Sequence, residues 1–539
     1  MSGVNALVGP VRASGDIRID GILHTQHWFG DEITYSLPRH VGAYMPGYGG
    51  GENQEFLPAS PLMIDSFTKS LDADDGSGAH SGFAVEGFTA LDIAPGPASS
   101  ATIRLAQTGM DPYNFGTAWA YYPGTFQTSG DVWVHTDVYD YTNPRPGNYA
   151  HHTLIHETAH TLGLVHGHEG TAFGTVPVEF DSMEYTVMTY RSYEGAAAGP
   201  YSNEAIGYAQ SFMMLDIAAL QYLYGANFDT NDGDTVYSWM PQKGDTFVDG
   251  TSALEAAGNR IFATIWDGDG EDTYDLSAYE APVTVDLAPG EHSSFGDAQL
   301  AQLGPNIYAK GNIYNALQYE GDPQSLIENA IGGSGADEII GNDADNTLEG
   351  RSADDVLDGA RGNDLALGQL GNDLLKGGSG DDRLIGGHGD DWLSGGTDCD
   401  LLRGGAGNDR LFGRKGDDDL KGGLGNDVIA GGKGKDQLTG NEGDDHFLFQ
   451  SIEDSAVGAE ADLIRDFEQG HDRIDLSPLA GSTLAYGGTG SFQAGLASVT
   501  YSHDAGETRV QADLDGDQLA DMQINLTGLI DLTEADFIL

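Results

Sequence analysis

The sequence predicts two architectures in tandem: an α+β domain in the N-terminal half and an all-β parallel β-roll in the C-terminal half. Two observations carry that reading. His156, Glu157, His160, Gly163 and His166 spell HExxHxxGxxH inside a helical segment that follows a run of strand-like and helix-like text. From Gly332 to Leu448 the chain then repeats every nine residues, thirteen times without insertion, in the pattern GGxGxDxUx with U apolar. At 539 residues the chain has room for two or three domains, each with its own core.

Taken in order, residues 1–15 are small and polar and read as a flexible N-terminus. A first strand lies within Ile17–Pro38, and 39–56 is a glycine-rich loop. Pro58–Leu71 has helical spacing, and 90–105 reads as strands broken by Pro, Gly and Ser at 95–100. Trp119–Tyr122 and Val132–His135 are strands around a turn. Asn148–Leu162 is the helix that carries the histidines, and a helix at 211–223 closes a domain spanning 16–227. Residues 228–331 form a bridging β region, in which Trp266–Asp275 is rich in carboxylate and glycine and reads as a calcium loop or an acidic turn. The roll occupies 332–448 and a C-terminal β region 449–539. In the latter, Asp513, Asp515, Asp517 and Asp521 form a second candidate calcium loop.

The spacing of the histidines dictates their chemistry. Residues four apart lie one above the other on a helix face, so His156 and His160 can point at one ion. Gly163 accepts the backbone angles that stop a helix and turn the chain, which brings His166 back as a third nitrogen. Three neutral imidazoles with an open position suit a catalytic zinc. Glu157 follows the first ligand directly, where its carboxylate reaches the water that such an ion activates. His168 reads as a surface histidine.

The nonapeptide pattern implies calcium. Its sixth position is Asp337, Asp355, Asp364, Asp373, Asp382, Asp391, Asp400, Asp409, Asp418, Asp427, Asp436 and Asp445, with Asn346 as the exception. These carboxylates, with loop carbonyls exposed by glycine, make all-oxygen sites for a hard cation. The eighth position is large and apolar except at Ala366, and it points inward from a three-residue strand to build a thin core. Two nonads make one full turn, which allows at most about 11 ions.

Composition narrows the function. Against 24 basic residues stand 84 acidic ones, a formal charge of −60. This argues against nucleic acid or an anionic membrane surface as partner and suits a chain that binds many cations. The single cysteine, Cys399, precludes an internal disulfide, and no thiol upstream of the histidines is available to block them. No apolar run is long enough to insert in a membrane, and Met1–Ile19 lacks the pattern of a secretory leader.

Further text makes a family resemblance. Tyr185–Tyr190 (YTVMTY) resembles the Met-turn of metzincin zinc peptidases. Gly116–Gly124 (GTAWAYYPG), Gly130–Trp133 (GDVW), Asp216–Asn227 (DIAALQYLYGAN) and Asp462–Ser477 resemble the serralysins, secreted bacterial metalloproteases of the repeats-in-toxin class. The resemblance runs from about residue 16 to the end. It implies a metzincin catalytic domain, with a mixed sheet plus active-site helix, a short propeptide near the N-terminus, and a cleft-rim strand that pairs with extended protein or peptide substrates. It implies that Glu157 is the general base, that Tyr190 binds zinc at rest and swings to stabilise the oxyanion, and that Met188 forms a packed floor. After His166 the family continues Pro-Gly; here Gly167, His168, Glu169 and Gly170 stand, so the loop to the Met-turn differs. The ending Asp536-Phe537-Ile538-Leu539 looks like the uncleaved signal read by ABC-type export machinery. The expected protein is thus a secreted, extracellular, monomeric zinc endopeptidase with Zn(2+) and Ca(2+) as cofactors. The alternative is a calcium-dependent surface-binding or adhesion protein with an inactive peptidase domain, which would require broken catalytic residues. A membrane-acting toxin would require long apolar helices.

Overall fold

The structure, a computed structural model, describes residues 7–44, 48, 51–73, 81–110, 116–479 and 484–539. Residues 1–6 of the expected flexible N-terminus, and part of the 39–56 loop, lie outside the described residues. The chain divides into two units, Met1–Ala278 with Leu287–Ile327, and Tyr279–Asp286 with Glu328–Leu539. The stretch 228–331 is therefore shared between them. Thr284–Asp286 goes to the second unit because it pairs with Glu338–Ile340, the first strand of the roll.

In the first unit, β1 (Leu7–Pro10) pairs antiparallel with β2 (Gln26–Phe29), so the stretch read as flexible is a strand from Leu7 onward. A mixed sheet follows, built from β3 (Glu32–Ser36), β4 (Phe56–Leu57), β5 (Asp92–Pro95), β6 (Ile103–Thr108), β7 (Ala118–Ala120) and β8 (Asp131–His135). Its order is β5-β3-β6-β8-β7, with β4 also on β6. Strands β3, β5, β6 and β8 run parallel, while β7 is antiparallel to β8 and lies at the edge. Five α-helices are described: α1 (Ile17–Asp20), α2 (Pro61–Leu71), α3 (Val85–Phe88), α4 (Tyr149–Leu162) and α5 (Met214–Tyr224).

Local chemistry sets the helix boundaries. Ser60 accepts the Met63 N–H and Pro61 stands at the first helical position, which needs no N–H donor, so α2 begins there. Asn148 accepts the His151 N–H and starts α4. One core joins these elements: Phe67 from α2, Leu154, Ile155 and Leu162 from α4, Leu215 and Leu220 from α5, and Ile33, Leu105 and Val132 from the sheet are all buried. Helix α4 is buried all round, from Ala150 to Leu162, which fits a helix at the centre of a domain rather than on its surface. Further along, β9 (Val236–Met240), β10 (Lys243–Val248) and β11 (Thr251–Leu254) form an antiparallel meander.

The second unit is a parallel β-roll. Successive nonads alternate between two sheets, so each strand pairs with the one 18 residues on, as in Leu374↔Trp392↔Arg410 on one sheet and Leu365↔Arg383↔Leu401 on the other. Eighth-position side chains such as Leu375, Leu384, Leu393 and Leu402 are fully buried between the sheets, and Ala366 fills one place among them. The strands are mostly six residues long rather than the expected three. Pairing runs on into the first three positions of the next nonad, because the loop backbone there still lies flat against its copy 18 residues away. Past Leu448, Asp462–Ile464 and Arg473–Asp475 extend the two sheets. An antiparallel set, Ser498–Asp504, Glu507–Asp513 and Met522–Thr527, continues one of them, and Phe537–Ile538 pairs with Ile474–Asp475 at the edge of the other.

Fourth-position glycines are what let the loops stack. Gly380 has φ +121°, and a Cβ there would meet the Gly362 carbonyl oxygen, one full turn away, at 2.0 Å. Gly458 is also at positive φ (+103°), but a Cβ there would meet nothing within 4 Å. Gly458→Ala should therefore show the backbone strain alone, about 1–2 kcal/mol. Gly380→Ala should lose several times more, read as the drop in melting temperature of the calcium-loaded protein; equal losses would show that stacking distance does not constrain the roll.

Candidate active site

Helix α4 carries His156, Glu157 and His160, and Gly163 ends it in a left-handed conformation at φ 103°. The chain then runs alongside Ile22–His24: His24 N–H bonds to Gly163 O at 2.8 Å and Val165 N–H to Ile22 O at 2.8 Å. This fixed path delivers His166. Its Nε2 lies 3.1 Å from Nε2 of both His156 and His160.

The outer ring nitrogens decide what these atoms are. His156 Nδ1 lies 2.7 Å from Val187 O, and His160 Nδ1 2.8 Å from Leu164 O. A carbonyl only accepts, so both Nδ1 atoms carry the proton and both Nε2 atoms are bare lone pairs. A single proton on His166 satisfies at most one of them. Glu169 places Oε1 3.1 Å from His166 Nδ1, off the hydrogen-bonding axis but near enough to favour the proton on that side. Burial lowers the pKa of His156 to about 4 and of His160 to about 3, and it lowers that of His166 as well, with neighbouring imidazoles adding to the last two. Three neutral imidazoles with converging lone pairs form a donor set that fits a tetrahedral cation with one open position.

Glu157 is buried, and burial raises its carboxyl to about 8. Tyr190 is 38 % exposed, with its ring 4.4 Å from that of His166 and stacked 5.8 Å from His156. Its phenol pKa is pushed up, first by burial and then by Glu157. Met188 is fully buried, and its carbonyl accepts the Gly167 N–H at 2.9 Å, which ties the turn carrying Met188 to the chain just after His166. His168 is half-buried rather than on the surface, because it stacks 5.5 Å from His166 and lies tilted 5.1 Å from Tyr190. A cleft of about 640 Å³ opens beside the histidines, lined by His156, Glu157, Tyr190 and, from the sheet edge, Thr117 and Ala118.

Two buried carboxylates hold this arrangement, and neither was singled out for that role in the sequence. Asp216 on α5 accepts Thr186 Oγ1–H at 2.5 Å, Val187 N–H at 2.7 Å and Met213 N–H at 3.0 Å, so it holds Val187, the residue whose carbonyl orients His156. Asp181 accepts Thr189 Oγ1–H at 2.6 Å and Arg191 Nε–H at 2.8 Å and so braces the residues on either side of Tyr190. Asp216 lies in the DIAALQYLYGAN text, but its partners Val187 and Thr186 are 29 and 30 residues away, and the Val187 and Met213 groups are backbone N–H that leave no side-chain pattern.

In the roll, the sixth-position aspartates stand in two rows. Oδ1 of each accepts the backbone N–H of the residue 18 earlier, at 2.7–2.9 Å, from Asp355 through Asp445. Among the described residues Oδ2 meets no donor in Asp355, Asp364, Asp373, Asp382, Asp391, Asp400, Asp409, Asp418, Asp427, Asp436 and Asp445. Asp337 departs from the pattern, since its two oxygens accept Val283 and Gly333 N–H. Asp462, outside the repeat, continues a row: its Oδ1 accepts Asp436 N–H and its Oδ2 meets no donor. Burial, with neighbouring carboxylates adding, lifts Asp400 and Asp436 to about 8. Buried carboxylate oxygens without donors suit a hard cation. Elsewhere, Asp513, Asp515 and Asp521 come together while Asp517 stays outside the group. Asp267 is buried, with Oδ2 accepting Tyr237 O–H at 2.6 Å and Oδ1 meeting no donor.

Comparison with known proteins identifies the chain's family. Residues 226–539 match the family described as Peptidase M10 serralysin C terminal. Serralysin from Proteus mirabilis is 33% identical over 330 residues, 58% of this chain and 59% of that protein. Serralysin G from Dickeya chrysanthemi is 32% identical over 252 residues, 45% and 47% of the two chains. Metalloprotease AprA from Pseudomonas entomophila is 34% identical over 239 residues, 42% and 45%. The chain thus spans 45% to 59% of these relatives' length. With the family match covering more than half of its length, the chain belongs to the serralysin family of peptidases.

Proposed function

We propose that the chain is a zinc-dependent endopeptidase that works outside the cell and cuts protein substrates, with its roll held by calcium. The observation that supports this most is the convergence of three neutral imidazoles beside a buried glutamate in an open cleft. His156, His160 and His166 would hold the zinc, with Tyr190 at the edge of the set. When bound, the ion supplies Lewis acidity: it polarises a scissile carbonyl and makes water nucleophilic near neutral pH.

The rest is done by the chain itself. An extended substrate lies along β7, whose outer edge has no strand partner among the described residues, and its main chain pairs there. Glu157 takes the proton of the attacking water and later delivers it to the leaving amine. Its burial favours the neutral acid, which suits the delivery half of the cycle, and a dication beside it would favour the carboxylate needed for the first half. Tyr190, at the cleft mouth, turns to bond the carbonyl oxygen as charge builds there. The aspartates from Asp355 to Asp445 would bind calcium through their donorless Oδ2 atoms. In a calcium-poor cytoplasm the rows repel, so the chain would travel unfolded through ABC-type export machinery and fold as a monomer outside. Among the described residues no helix is long and apolar enough to cross a membrane.

Glu157→Gln should keep zinc and lose casein hydrolysis by at least a hundredfold; retained turnover would sink the mechanism. Asp216→Ala would leave the Val187 and Met213 N–H groups without their acceptor, so zinc affinity should fall about 10–100-fold in a competition titration with a chelating dye. Unchanged affinity would show that Asp216 does not position His156. Removing calcium at pH 8 should melt the roll, read by circular dichroism. The raised carboxyl values predict partial rescue without calcium as pH falls from 8 towards 4: the folded roll binds protons more tightly than the unfolded chain, so its stability is lost as pH rises through the folded-state values. A chelator-treated roll that weakens on acidification would contradict this.

A further inference from the structure

One face of the roll runs against the charge of the whole molecule. Arg410, Arg414, Lys415 and Lys433 gather on two of its adjacent strands. On three adjacent strands, Trp392–Thr397, Arg410–Lys415 and Val428–Lys433, Trp392 is in register with Arg410, and Lys415 with Lys433. Trp392 is 43% exposed, and its ring lies 5.2 Å from Phe412 on the neighbouring strand. The Arg414 guanidinium covers Phe412 at 5.0 Å and bonds through Nε–H to Ser394 Oγ at 3.2 Å. Beside this stack lies a hollow of about 220 Å³ lined by Phe412, Arg414, Lys415 and Lys433, and by Asp454, whose Oδ2 is taken by the Gln450 and Ser451 N–H groups. Lys433 pairs with Glu453, whereas Arg410 and Lys415 have no carboxylate partner among the described residues, in a chain with 84 acidic side chains. Exposed cations left unpaired beside an exposed indole are not needed to hold the sheet, whose core is the buried leucine row.

We propose that this face binds an acidic polysaccharide, a chain of uronate sugars. The apolar face of a pyranose ring stacks on the Trp392 indole, as rings of matching size do on aromatic surfaces. The sugar carboxylate reaches Arg410 or Lys415, a guanidinium offering a paired grip on a carboxylate. A peptide fits less well, because the strands are paired on both sides and leave its main chain without partners. Duplex DNA carries a charge every ~1.7 Å and is the ion most strongly repelled by a −60 molecule. A uronan carries one charge per sugar, and the distant carboxylates are screened beyond about 8 Å. The face lies on the roll, away from the histidine residues in sequence, and the proposal does not depend on catalysis.

The test is calorimetric titration of the full-length, calcium-loaded protein with a short oligogalacturonate, at fixed free calcium. Neutral dextran oligomers, polyglutamate and duplex DNA run in parallel. Saturable binding of the uronate alone is expected, weakened at least tenfold by Trp392→Ala and by Arg410→Ala with Lys415→Ala, with circular dichroism unchanged. If Trp392→Ala disturbs folding, the double variant at the two exposed cations decides. Failure of wild type to bind the uronate, equal binding by the variants, or equal or tighter binding of dextran, polyglutamate or DNA would each overturn the proposal.

Discussion

In both units, electron-rich atoms are held close together against their own repulsion, and the surrounding fold is what holds them. In the first, bare imidazole nitrogens face one another at 3.1 Å. In the second, carboxylate oxygens without donors follow one another down the roll. Such arrangements cost free energy that packing must offset, or that a cation can repay with interest. This links stability to ligand in different degrees. The first unit has a broad apolar core around α4, so it can hold its nitrogens together by packing. The roll has a single buried row of Leu and Ile from each sheet, and its structure leans far more on what neutralises its aspartates.

The first unit orients its donors by placing a backbone carbonyl behind each of two rings. Val187 O and Leu164 O fix the tautomers of His156 and His160, and each carbonyl is itself held from behind. Asp216 holds Val187 by its N–H, and Gly163 sets the turn that presents Leu164. The ligand geometry thus rests on residues from α4, the Met-turn and α5 together. That explains why an apparently plain core aspartate on α5 matters to a nitrogen on another element.

Periodic features were legible in the sequence because each rests on a short-range rule. Four-residue spacing on a helix, a glycine at its end and a nine-residue repeat need no tertiary knowledge, and they placed α4, the three histidines and the roll. What escaped depends on partners distant in the chain. Asp216 and Asp181 act on groups that leave no pattern, and Asp462 extends a row from outside the repeat that defines it. Asp337 carries the motif residue, yet at the end of the roll its oxygens are taken by Val283 and Gly333. The roll strands proved longer than the apolar triplet suggested, since backbone pairing does not require an apolar side chain. Strand β1 was missed because four small or apolar residues form a strand only when β2 is there to meet them.

The two-sheet turn makes length a matter of parity. Each nonad places its strand on one sheet and the next nonad on the other. Gain or loss of two nonads would lengthen or shorten the roll by one complete coil and leave every later strand on its own side. Gain or loss of one would transfer all later strands to the opposite sheet, and Asp462–Ile464 and Arg473–Asp475 would each arrive beneath the wrong neighbour. The chain can therefore grow in steps of eighteen residues but not of nine, although nine is the period written in its sequence.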